Sequence, residues 1–167
     1  MSTLEKHAML QDKDIPLDRL RYTKNKLSAN LVLLAIVFDV LFFVSIYKSD
    51  VGQYYYTMLT GASIIYNLIF LLIAFLSEEG VKNRRPNFHY VLVALGLGQI
   101  IRIFIIPMQA HAAMVTIGGA NSIVMADGQF IRVIVYLVLS AVCCIAAGIW
   151  SYIQNKKLND YMKTLAA

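Results

Sequence analysis

The stretch LLAIVFDVLFF, residues 33–43, sets a single carboxylate, Asp39, among ten apolar residues. It lies within a run from about Ser28 to Tyr47 that is long enough to cross the hydrocarbon core of a bilayer, for which ~20 apolar residues suffice. Asp39 is the twelfth residue of that run, roughly 16 Å from its start at 1.5 Å per residue. A charge at that depth costs from ~3 to more than 10 kcal/mol if it stands alone. The stretch therefore implies a membrane helix, and a partner for Asp39 on another helix.

The rest of the chain supplies that setting. Of 167 residues, 59% are hydrophobic and 15% charged, with a mean hydropathy of +0.62. Soluble domains carry closer to ~25% charged residues. Three further apolar runs follow, at about residues 54–76, 88–106 and 129–152. Each must be helical, because in lipid a backbone segment satisfies its own hydrogen bonds. The first run is too long, and too far from the N-terminus, to read as a cleaved leader. The expected fold is an all-α integral membrane protein, a bundle of four transmembrane helices over residues 28–153. Residues 1–27 form an N-terminal segment before it, and residues 154–167 a tail after it.

Lysine and arginine counts orient the bundle. The N-terminal segment, the loop between the second and third runs, and the tail together hold twelve such residues, whereas the other two loops hold one, Lys48. Both termini are expected in the cytoplasm, with the protein in the plasma membrane. The formal net charge of +5 is then a matter of topology and calls for no nucleic acid. The expected partners are the lipid bilayer and other membrane protein subunits.

Outside the spans, PLDRLRYTKNKL (residues 16–27) puts Leu17, Leu20 and Leu27 loosely on one face, among Arg21 and Lys24. This reads as a short interfacial helix, serving as a basic anchor or a docking surface. In SEEGVKNRRPN, residues 77–87, Gly80 marks a helix stop and Pro86 a restart. The outer loop, 107–128, has MVTI and SIVM flanking GGAN. It reads as a small β-hairpin presenting Ile117 and Ile123 as candidate partner contacts, with a re-entrant loop as the alternative.

Within the spans, Gln99 falls at nearly the depth of Asp39, and Arg102 lies one turn further on the same face. Arg102 is the expected partner of Asp39, with Gln99 donating a further hydrogen bond and Arg132 a competitor. In the second span Tyr56, Thr60, Ser63, Asn67 and Ala74 recur at helical spacing. Small residues, Ala94 and Gly98 in the third span and Ser140, Cys144 and Gly148 in the fourth, mark faces where backbones approach. The intramembrane polar cluster is thus Asp39, Asn67, Gln99 and Arg102. Cys143 and Cys144 are adjacent within one span and read as packing residues.

No catalytic signature occurs: no HExxH, no GxSxG, no phosphate-cradling glycine loop. Met108, His111 and Met114 have ligand chemistry suited to Cu(I), but in a chain with seven methionines they read as packing. No cofactor or metal is expected. The expected function is that of a non-enzymatic accessory or stabilising subunit of a larger membrane transport complex. The alternative is a small oligomeric channel or ion-coupled transporter centred on Asp39 and Arg102.

Overall fold

The structure, a computed structural model, describes residues 23–47, 57–112, 114–117, 120–123 and 125–166. The interfacial helix expected over residues 16–27 lies almost wholly outside them, and with it Leu17, Leu20 and Arg21. In chain order the elements are α1 (Lys26–Tyr47), α2 (Thr57–Lys82), α3 (Phe88–Ile105), the short α4 (Pro107–Ala112), β1 (Met114–Ile117), β2 (Ala120–Ile123) and α5 (Asp127–Ala166). β1 and β2 pair antiparallel, Met114 opposite Ile123 and Ile117 opposite Ala120.

Helices α1, α2, α3 and α5 are each long and apolar enough to cross a membrane. Their arrangement is that of a protein whose solvent is lipid. Leu34 and Val37 of α1, Leu68 and Leu72 of α2, and Ile101 and Phe104 of α3 all point outward. Asp39, Asn67, Gln99, Arg102 and Ser140 are turned inward. An aqueous fold would bury the first set and expose the second. By length and composition the chain is membrane-spanning.

The four long helices close into a ring in which α5 packs against both α1 and α3, while α2 packs against α1 and, less extensively, α3. α1 and α3 therefore stand on one diagonal. The α5 side is the tighter one. Ser28 Oγ donates to the Ala147 carbonyl at 2.6 Å and Ser140 Oγ to the Ala35 carbonyl at 3.0 Å, so α1 and α5 are joined backbone to side chain at two levels. Gly148 lets the α3 backbone in: a Cβ there would lie 2.9 Å from the His89 carbonyl oxygen and 2.9 Å from Val93.

The small-residue face of α3 differs from the expected one. Ala94 is exposed, and the buried stripe runs Leu92, Gly96, Gln99, Arg102. Gly96 is the glycine that meets α5, where an added Cβ would crowd Ile145 and the Ala141 carbonyl. Gly98 turns instead toward the Tyr66 hydroxyl of α2. Its spacing to Arg102 puts Gly98 on the α2 side of the stripe.

Helix α2 also runs past its expected end. Gly80 lies within it, pressed against the Phe88 ring, which a Cβ would strike. The glycine is there for close packing, and the helix stops two residues later, at Lys82. Arg84 takes the left-handed conformation (φ 55°), with Arg84 N–H bonded to the Val81 carbonyl (3.1 Å) and Arg85 N–H to the Gly80 carbonyl (2.9 Å). That is the Schellman pattern, normally built on glycine. Here the arginine side chain is used as well: Arg84 Nε donates to the Thr23 carbonyl at 3.0 Å, while Asn25 N–H donates to the Lys82 carbonyl at 3.0 Å. The entry to α1 is thus fastened to the exit of α2. Partial burial lowers the pKa of Arg84 from its ordinary value, but an arginine remains charged.

Helix α5 is the other departure. It passes the expected boundary at residue 153 and continues as one helix to Ala166, 40 residues in all. At 1.5 Å per residue that is about 60 Å, twice the ~30 Å of a hydrocarbon core.

Candidate polar centre

All four residues of the expected cluster meet in the middle of the ring. Asp39 is 0% exposed and Arg102 3%. Arg102 Nη1 and Gln99 Nε2 both donate to Asp39 Oδ1, each at 2.8 Å. Arg102 Nη2 donates to Asn67 Oδ1 at 2.9 Å. The aspartate and arginine thereby span the diagonal from α1 to α3, and Asn67 draws α2 into the same network. Helical geometry explains the fork: Gln99 and Arg102 are three apart and share a face, so both reach one carboxylate.

The rings around the guanidinium were not legible as partners. Its carbon lies 4.2 Å from the centroid of Phe42 and 5.0 Å from that of Tyr66. A cation over an aromatic face is attracted to it, most strongly when desolvated. Phe42 is three residues after Asp39 and Tyr66 is adjacent to Asn67, so the spacing held the signal, although in apolar spans an aromatic residue is no marker by itself. Asp39 Oδ2 and Gln99 Oε1 have no hydrogen-bond partner among the described residues.

Arg132 is exposed, so it does not contest Asp39. Lys24 lies at the opposite, basic end of the bundle, and Ile117 and Ile123 lie in β1 and β2, so none of these three is part of the cluster. Both cysteines are buried and free; Cys144 packs in the core cluster with Ala35 and Ala74. At the hairpin end of the bundle His111 Nε2 pairs with Asp127 Oδ1 at 3.0 Å and its ring lies near that of Phe130, which ties α4 to the start of α5. Among the described residues no three His, Cys, Asp or Glu side chains converge to hold a metal.

Beside the cluster, the seam between α2 and α3 contains a gap of about 220 Å³ lined by Ala62, Ser63, Tyr66, Gly98, Ile101 and Arg102, among others. It is apolar apart from the arginine and the two hydroxyls. Chemically, the centre joins three helices through one guanidinium, with one oxygen each of Asp39 and Gln99 left without a partner among the described residues.

Comparison with protein-family models, with curated proteins and with solved structures found no match.

Proposed function

We propose that the chain is a non-enzymatic, multi-pass protein of the plasma membrane that acts as an accessory or stabilising subunit of a larger membrane assembly, a transport complex in particular. The observation that carries this reading is how the central charges are used: Arg102 is engaged by Asp39 and Asn67 and flanked by two rings. Groups held in this way fix which helices meet, the requirement of a scaffold. The lysine and arginine distribution supports cytoplasmic termini. The basic segment with Leu17, Leu20, Arg21 and Lys24, and the outer hairpin with Ile117 and Ile123, are the proposed contacts with other subunits.

The test is the native mass and composition of the assembly, purified gently through a small C-terminal tag. A defined larger complex with other proteins is expected, and charge reversal at Arg21 and Lys24 is expected to release the chain from it. Recovery as a monomer or a homo-oligomer alone would overturn the reading.

One observation favours a second reading, a small oligomeric channel or ion-coupled transporter. Asp39 Oδ2, without a partner among the described residues, is an acceptor for a proton or cation deep in the bundle. This reading expects ion flux in proteoliposomes that falls in Asp39→Asn. Absence of flux from the parent protein would eliminate it.

A further inference from the structure

At the basic end of the bundle a wide-mouthed cavity of about 660 Å³ opens between residues 23–27, Arg84, and Trp150 and Gln154 of α5. Its volume lies in the ~300–1,000 Å³ range of small-molecule sites. Lys24, Lys26 and Arg84 line it, and among the described residues no acid does. Glu79, the carboxylate whose charge reaches Lys24, is already held by Lys82 Nζ at 3.1 Å and Asn83 Nδ2 at 2.7 Å.

Residues of the wall also carry buried polar atoms without a partner among the described residues. Asn25 is 5% exposed; its Oδ1 accepts from Ser28 N–H at 3.4 Å, capping α1, while its Nδ2 has no partner among the described residues. Arg84 Nη1 and Gln154 Oε1 are likewise buried and unpartnered among them. Two of these three are donors, and the Gln154 amide offers a donor if turned over. Unpaired buried donors cost free energy, which an acceptor-rich ligand relieves once the side chains turn toward it. The start of α1 adds the partial positive charge of a helix N-terminus. Cations, unpaired donors and a helix start together select an anion with several acceptor oxygens, and phosphate is the natural fit.

The rim identifies where that phosphate comes from. Leu27 and Trp150 are exposed apolar residues at the mouth, and Tyr90 and Tyr152 are exposed at the same end of α3 and α5. Aromatic residues in that position mark the headgroup level of a bilayer. We propose that this cavity binds the phosphate headgroup of an anionic glycerophospholipid, with Leu27 and Trp150 against its glycerol and upper acyl chain. The site joins the entry of α1 to the exit of α2 and to α5, so an occupied site staples three helices together. The inference rests on membrane insertion; it shares Lys24 with the proposed subunit contact, and the test uses the isolated chain, so the two readings fail separately.

The test is native mass spectrometry of the full chain in detergent, titrated with phosphatidylglycerol or phosphatidylcholine of identical acyl chains. Phosphatidylglycerol is expected to be retained at least about tenfold better, since a basic residue near an anionic surface contributes about fivefold. Lys24→Gln with Lys26→Gln, both at exposed positions and so without effect on the core, is expected to remove most of that preference. Lys156→Gln with Lys157→Gln makes the same charge change further along α5 and is expected to preserve it. Equal retention of the two lipids, equal loss in both double variants, or displacement of the lipid by millimolar inorganic phosphate would each overturn the proposal.

Discussion

The two sides of the bundle are built on different principles. Where α5 meets α1 and α3, the helices are in close backbone contact: serine hydroxyls bond to carbonyls across the interface, and Gly96 and Gly148 leave no room for a Cβ. Where α2 meets α3, Gly80 packs on the Phe88 ring at the basic end, but beside the polar centre packing leaves a gap of about 220 Å³, and the fastening there is one guanidinium reaching Asn67. The first side relies on shape and many small contacts. The second concentrates its cohesion in a few polar atoms. In lipid, where apolar surface gives no drive for helices to associate, a seam that packs loosely needs such a fastening.

The contrast can be broken most severely at the charges. Asp39→Ala or Arg102→Ala removes one partner of the buried ion pair, and each is expected to cost about 3–5 kcal/mol, measured by reversible unfolding in mixed micelles. The double change is expected to cost clearly less than the sum of the two. Additive losses would mean that the pair is not coupled. On the close-packed side, Gly148→Ala drives a methyl against the His89 carbonyl and Val93, with an expected loss of about 1–3 kcal/mol on the same unfolding curve. Ser140→Ala removes one interhelical hydrogen bond, and about 0.6 kcal/mol is expected, the average for such bonds in membranes. The smallest effect is expected at Gly98→Ala, within about 0.5 kcal/mol of the parent, because only the end of the Tyr66 side chain has to yield. If Gly98→Ala proved as costly as Gly148→Ala, the two sides would not differ in the way described.

Much of this was legible in the sequence, for reasons tied to particular residues. The four spans follow from length and the cost of exposed backbone in lipid. The Asp39–Arg102–Gln99 contacts follow from depth and a shared face, since few ionisable residues lie at that level. The face of α3 that meets α5 was not legible: Ala94, Gly96 and Gly98 are all small, and only packing selects Gly96. The role of Gly80 was misread for a similar reason. Glycine both ends helices and admits rings, and the ring in question, Phe88, lies across a turn. The extent of α5 was hidden because Asn155, Lys156 and Lys157 mark the end of an apolar run, and the end of an apolar run need not be the end of a helix. Phe42 and Tyr66 were hidden by abundance, being aromatic residues in spans already rich in them.

The unbroken course of α5 has a mechanical consequence. Its segment over residues 153–164 is mostly exposed, and residues 153–166 extend for about 21 Å along the axis at 1.5 Å per residue. A helix without an intervening loop transmits rotation as a rod does. A tilt of about 10° in the bundle would displace the last turn by about 4 Å, given that length, and a twist about the axis would carry Lys156, Lys157 and Lys163 around with it. The chain therefore carries a pointer whose angle reports the posture of its membrane-embedded part.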